Sequence, residues 1–165
     1  MSIKLNYSKK ISSISTANTV LFTNDKFNIN GLKKYLSNSE FSYINDLLKN
    51  SDLKKNIFVY ELNSKKKIIL VSIKENLKSF NIENLGAEFF GRVNYGKNSE
   101  YFIISDSIST KYENFLGYFL HGIKLKSYEF KKYKSKKEIR SILINITGNK
   151  NIPSAKSQLR FKALE

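Results

Sequence analysis

The stretch NIFVYELNSKKKIILVSI, from Asn56 to Ile73, contains two apolar segments separated by a short polar one. The segments Asn56–Leu62 and Lys67–Ile73 are rich in β-branched and aromatic residues, which suit the pleated, half-buried surface of a strand. The polar residues NSKKK between them suit a hairpin or a short loop. The stretch therefore predicts two consecutive strands of a sheet.

Four further segments have the character of strands. Apolar residues that alternate with polar ones, or that form a short run bounded by polar ones, indicate a strand buried on one or both faces. These segments are Ser2–Ser8, Asn18–Thr23, Tyr101–Asp106 and Glu138–Thr147.

Helices are predicted between these strands, where apolar residues recur three and four positions apart and so lie on one helix face. The predicted helices cover Gly31–Asn50, Ile82–Val93 and Thr110–Lys126, and Ser39 is a candidate to cap the first of them. A last helix is predicted to begin near Pro153, because proline is favoured in the first turn. Strands that alternate with helices predict an α/β fold, in which helices flank a mixed β-sheet.

The composition indicates a single folded domain. A chain of 165 residues with 41% hydrophobic residues is long enough and apolar enough to bury a core. The absence of cysteine excludes disulfides and thiolate chemistry and fits a reducing, cytoplasmic location. The longest apolar run, Ile68–Val71, is too short to span a membrane, and the N-terminus lacks the apolar core of a signal peptide.

The net charge of +15 permits a polyanionic partner. Only Arg92, Arg140 and Arg160 among the 29 basic residues are arginine, and lysine lacks the planar fork that binds phosphate or guanine bidentately. We therefore favour a mostly solvated charge over a dedicated nucleic-acid surface.

One segment is nevertheless a candidate nucleic-acid surface, because lysines there are interleaved with Tyr128, Phe130 and Tyr133. Such lysines can neutralise phosphates while the aromatic rings stack on bases. The lysines are Lys124, Lys126, Lys131, Lys132, Lys134, Lys136 and Lys137. The alternative, which we favour, is a short extended segment with its aromatic residues turned inward and its lysines outward.

Catalytic patterns are scarce. His121 is the single histidine, and the acidic residues are dispersed, so no metal ligand set or acid/base pair is predicted. Glycines stand five residues apart, at Gly86, Gly91 and Gly96 and again at Gly117 and Gly122, without the closer spacing of a phosphate-binding loop. We expect these glycines to allow close packing of helices on the sheet. No catalytic, cofactor-binding or metal-binding residue is predicted in this chain.

The stretch HGIKLKSYEFKKYKSKK, residues 121–137, resembles the end of the N-terminal domain of the cytosol (leucyl) aminopeptidase family. The family pattern has a helical glycine followed by Tyr-x-Phe-x-x-Tyr-Lys-Ser/Thr-Lys. The matching residues here are Gly122, Tyr128, Phe130, Tyr133, Lys134, Ser135 and Lys136. The stretch IENLGAEFFGRV, residues 82–93, is similar to a family helix that begins with a Leu-Gly pair. Lys131 and His121 depart from the residues common in the family at those positions.

The resemblance implies a macro-domain-like fold for residues 1–150, without catalytic function, and a linker helix that begins in residues 151–165. That helix would lead into a C-terminal peptidase domain absent from this sequence, and we expect the chain to be the front part of a longer protein. The family's peptidase domain binds two divalent metal ions, Zn or Mn, and releases N-terminal amino acids from peptides. Its signature is absent from this sequence, so no catalytic residue is transferred.

The resemblance also implies partners. Family members are commonly homo-hexamers, and some bacterial members bind DNA, which makes a basic nucleic-acid binding module our second hypothesis. Kinship with macro domains suggests a third hypothesis, an ADP-ribose reader, which the missing glycine loops disfavour.

Overall fold

The computed structural model describes residues 2–10, 17–93, 98–133 and 141–163. The strands are β1 (Ser2–Ser8), β2 (Asn18–Asn24), β3 (Ile57–Glu61), β4 (Lys67–Ile73), β5 (Asn98–Ile104) and β6 (Ser141–Thr147), and the helices are α1 (Asn38–Lys49), α2 (Ser79–Val93), α3 (Phe115–Tyr133) and α4 (Ala155–Ala163). Two short 3-10 helices, Asn30–Tyr35 and Ser105–Ser107, complete the described structure.

The strands form one six-stranded sheet in the order β1-β6-β5-β2-β4-β3. All neighbouring strands are parallel except β3 and β4, which form an antiparallel hairpin with Val59 opposite Ile69. The predicted α/β fold with a mixed sheet and flanking helices is therefore confirmed, and so is the hairpin.

The sheet lies between two helical layers, and β4 shows why. Its residues Ile69 and Val71 belong to the larger apolar cluster, with α2, α3 and α4, whereas Ile68 and Leu70 belong to a second cluster, with α1. Successive side chains of a strand point to opposite faces, so a strand covered on both faces must be apolar throughout. The apolar run Ile68–Val71 thus lies in an interior strand of the sheet that is buried on both faces. Among the described residues, no helix is both long and apolar enough to cross a membrane.

The first predicted helix differs from the structure at its N-terminus. Residues Asn30–Tyr35 form a separate 3-10 helix, and α1 is capped by Ser37 and not by Ser39. The Ser37 hydroxyl accepts a hydrogen bond from the Glu40 amide at 3.2 Å, and the Glu40 carboxylate accepts one from the Ser37 amide at 2.9 Å. This reciprocal capping box requires a glutamate three residues after the serine. Of Ser37 and Ser39, only Ser37 has one.

The third predicted helix is shifted along the chain. It begins at Phe115 and not at Thr110, because Asn114 has a positive φ of 56° that interrupts a helix. It continues through Tyr128 and Phe130 to Tyr133, so the extended segment that we predicted for these aromatic residues is wrong. The buried residues Leu120, Lys124 and Ser127 continue the helical spacing and explain the extension. The start of the last predicted strand, residues 138–140, lies outside the described residues.

A buried ion pair joins α1 to the β3–β4 hairpin. The Lys66 ammonium lies 2.5 Å from a Glu40 carboxylate oxygen, and the lysine side chain is only 7% exposed. Burial raises the pKa of Glu40, but the hydrogen bonds from Lys66 and Ser37 outweigh it, so the pKa lies below its usual value. Glu40 thus both caps the helix and neutralises a buried lysine.

Replacing Glu40→Gln is expected to lower the free energy of unfolding by about 2 kcal/mol at neutral pH, since Lys66 then stays buried without a counter-ion. The folded pKa of Glu40 is depressed, so its stabilisation is present above the unfolded value and is lost as the pH falls through the folded value. Urea unfolding of both proteins at several pH values measures this. The difference should shrink below about pH 4, and a difference independent of pH would contradict the pair's role.

Candidate functional site

The first lysine of the candidate nucleic-acid surface lies in the interior. Lys124 is 4% exposed, and its ammonium lies 4.7 Å from the ring centroid of Phe161 on α4 and 6.0 Å from that of Tyr128. An ammonium over an aromatic face is attracted by the ring quadrupole, and the long stem packs as an apolar group. Its inclusion in the predicted surface is therefore wrong. This burial could not be predicted from the sequence, because a lysine in a sequence pattern is normally interpreted as exposed.

The other lysines of the predicted surface are placed only in part. Lys126 is half-buried. Lys131 and Lys132 lie on the last turn of α3, where the backbone alone is described. Lys134, Lys136 and Lys137 lie outside the described residues. Among the described residues, the structure brings Lys124 and Tyr128 of the predicted set together. DNA binding stays a prediction.

The N-terminus of α4 is held by Asn114, the residue that precedes α3. The Asn114 side-chain carbonyl accepts from the Ser154 amide at 3.0 Å, and its amide nitrogen donates to the Ser157 hydroxyl at 2.5 Å. A side chain at Gly117 would collide with both Asn114 and Ser157. Together with the contact between Lys124 and Phe161, these bonds fasten α4 along α3 at two points.

Replacing Lys124→Ala is expected to lower the free energy of unfolding by about 1–2 kcal/mol, because the cation–π contact and the packing of the stem are both lost. Amide exchange of α4 should accelerate more than that of the sheet, as measured by hydrogen-exchange NMR. Lys156→Ala, on the exposed face of α4, is the matched control and should leave both quantities nearly unchanged. Equal effects of the two changes would contradict this role of Lys124.

His121 pairs with Glu83 across the contact between α2 and α3. The imidazole Nδ1 lies 2.8 Å from a carboxylate oxygen, and both side chains are about 30% exposed. The adjacent Gly122 lies against the backbone carbonyl of the same glutamate. Among the described residues, no group of three or more His, Cys, Asp and Glu side chains could hold a metal ion. The pair fits a role in joining the two helices.

Two of the glycines allow helices, and not helix and sheet, to approach closely. A side chain at Gly86 on α2 would overlap the carbonyl of Phe119, and one at Gly122 on α3 would overlap that of Glu83. Each helix therefore presents a glycine to the backbone of the other. The predicted close packing is confirmed for these two glycines. The predicted partner, the sheet, is wrong, because each glycine packs against a helix. Gly96 lies outside the described residues.

Ligands of open α/β sheets bind beyond the carboxyl ends of the strands, where the direction of the connections reverses. Here that point lies between β2, which leads through α1 to one edge, and β5, which leads through α3 towards the other. The Ser107 hydroxyl bridges there, accepting from the Phe22 amide at 3.0 Å and donating to the Ile104 carbonyl at 2.7 Å. The neighbouring Asp106 accepts from two amides, those of Asn149 and Lys150. These side chains therefore form hydrogen bonds with backbone groups of neighbouring strands and loops of the same chain.

The described residues thus define an α/β protein with a mostly parallel six-stranded sheet and a docked C-terminal helix. No family model matches the sequence, and no curated protein matches it. Among solved structures, the fold is similar to that of a mutant of tomato leucine aminopeptidase, with a TM-score of 0.62 and 13% sequence identity. The match covers 98% of this chain and 35% of that chain. At this identity the likeness shows the fold alone.

Proposed function

We propose that this chain is the noncatalytic N-terminal domain of a leucyl aminopeptidase. The observation that carries the proposal is the likeness of fold to leucine aminopeptidase, which extends over 98% of this chain but only 35% of the other. The resemblance of residues 121–137 to the end of the family's N-terminal domain supports it independently, since it comes from sequence and not from backbone geometry.

In this proposal residues 1–150 form the macro-like domain, and α4 lies in the segment that leads into the peptidase domain. The domain contributes packing and assembly, with its own peptidase domain and the homo-hexamer as partners in the cytoplasm. The fastening of α4 by Asn114 and Lys124 would give the connection a fixed direction.

The peptidase reaction in this proposal requires two divalent metal ions, Zn or Mn, held by the C-terminal domain. The described residues of this chain do not fit such a centre, because no group of three or more candidate ligands lies together among them. We therefore assign no step of the reaction to this chain.

A hydrolysis assay tests the proposal. The purified 165-residue chain, supplied with Mn²⁺ or Zn²⁺, should release no leucine from leucine amide. A full-length leucyl aminopeptidase under the same conditions is the positive control. Metal-dependent release of leucine that follows the chain through size-exclusion chromatography, and so is not due to a contaminating peptidase, would contradict the proposal.

A further inference from the structure

The strand β3 forms one edge of the sheet, with β4 as its single neighbour among the described strands. Hydrogen bonds at the two ends of the hairpin fix which backbone groups face β4. The Asn56 carbonyl accepts from Ser72 at 2.8 Å, and the Leu62 amide donates to Lys66 at 3.0 Å. Antiparallel neighbours exchange hydrogen bonds at every second residue, so the even-numbered residues of β3 bond to β4. The backbone amides and carbonyls of the odd-numbered residues therefore point away from β4, toward the open edge of the sheet.

The outward residues are Ile57, Val59 and Glu61. Within the part of the chain that the structure describes, their backbone amides and carbonyls have no hydrogen-bond partner. Such a row of unpaired groups is a template on which an extended chain can add as a further strand. The strand also contains no proline, which would remove one of these donors.

Two clefts open beside this edge, on the face that α2 covers. One of about 380 Å³ lies between Ile57–Val59 and Gly91–Arg92. The other, of about 420 Å³, lies between Val59 and the C-terminal end of α2 at Arg92 and Val93. Val59 and Arg92 line both clefts, so the clefts follow the strand from one end to the other. Alternate side chains of an added strand would point to this face and enter them.

Gly91 on α2 leaves room for an occupant in the first cleft. Glycine inside a helix costs about 1 kcal/mol relative to alanine. A side chain at Gly86 or Gly122 would overlap backbone, but a Cβ at Gly91 would meet nothing within 4 Å. Packing within the described residues therefore does not require this glycine. Its missing side chain leaves the first cleft open.

The charges around the clefts favour an acidic occupant. Lys55, Lys67 and Arg92 line the clefts, and Glu61 is the one acidic residue among the lining residues. Lys67 is paired with Glu61 and Arg92 with Glu88, each at 2.8 Å, so the local excess is the single positive charge of Lys55. The whole chain carries a net charge of +15, which repels a second copy and attracts an acidic segment. We propose that β3 and the two clefts bind an extended acidic peptide of another protein, which adds to the sheet as a strand beside β3.

A binding experiment tests this with a short fluorescent peptide of alternating glutamate and valine as the probe. The peptide should bind the full chain, and the same peptide with lysine in place of glutamate should bind at least about tenfold more weakly. NMR should show slowed exchange of the outward amides of Ile57, Val59 and Glu61. The amides of β1, at the opposite edge of the sheet, should not change.

Two variants test whether the peptide binds at β3 and the clefts. Val59→Pro removes one outward amide without removing a bond to β4, and Gly91→Leu fills the first cleft from a position with free space. Each should weaken binding by about tenfold or more, whereas Gly31→Leu, which also has free space but lies far along the chain, should not. Circular dichroism confirms that each variant is folded.

The proposal is overturned if the acidic peptide does not bind, if both peptides bind equally, or if neither variant weakens binding. It is also overturned if sedimentation shows dimers whose β3 amides are protected without peptide, because the occupant is then a second copy. None of these results bears on leucine release, so the site and the proposed aminopeptidase domain can fail separately.

Discussion

Replacing Gly122→Ala is expected to lower the free energy of unfolding by about 3 kcal/mol, although alanine favours helices. The added Cβ would overlap the backbone carbonyl of Glu83, and a backbone cannot rotate away as a side chain can. The helices α2 and α3 must then move apart, which opens the core and strains the pair formed by His121 and Glu83. Gly86→Ala should act similarly, through the carbonyl of Phe119. Urea denaturation followed by circular dichroism measures both effects.

The matched control is Gly91→Ala on α2, where the new Cβ meets nothing within 4 Å. This change should raise the free energy of unfolding by about 1 kcal/mol, the difference between glycine and alanine in a helix. If Gly122→Ala stabilises the protein as Gly91→Ala does, the close approach of α2 and α3 is wrong.

Replacing Phe119→Ala is expected to lower the free energy of unfolding by about 4 kcal/mol. Phe119 on α3 has no exposed surface, and its ring centroid lies 5.3 Å from that of Phe22 and 5.4 Å from that of Phe89. The ring thus joins α2 and α3 to strand β2. Its removal leaves a cavity that the surrounding side chains cannot fill. Differential scanning calorimetry or urea denaturation gives the change in stability.

Phe80→Ala is the control for this prediction, because Phe80 is 54% exposed at the start of α2. Its truncation should alter the stability by no more than about 0.5 kcal/mol. Comparable losses from Phe80→Ala and Phe119→Ala would show that Phe119 does not occupy the core position assigned to it.

Hydrophobic periodicity predicted a strand or helix well where the burial of that element's own residues determines its pattern. β4 is a continuous apolar run because both its faces are covered, and such a run is visible in the sequence. Periodicity failed where a distant residue decides. Lys124 lies within the predicted helix, but its burial against Phe161 of α4 was not predicted, because no local pattern marks a lysine as buried.

The candidate sites show the same division. The five-residue spacing of the glycines was visible, but only the structure shows that Gly86 and Gly122 face a helix while Gly91 faces open space. The edge at β3 could not be predicted either, because the order of strands in a sheet depends on how helices cross it. The amides of Ile57, Val59 and Glu61 have no partner within the described part of the chain, and this follows from that order together with the register of β3 on β4.

We propose that this chain is one domain of a larger leucyl aminopeptidase and carries out no hydrolysis itself. The most direct test is the mass of the native polypeptide, measured by intact-protein mass spectrometry after isolation from its source with an antibody against this chain. We predict a mass well above 19.1 kDa, with peptides from a metallopeptidase domain following residue 165. A native mass of 19.1 kDa would contradict the claim.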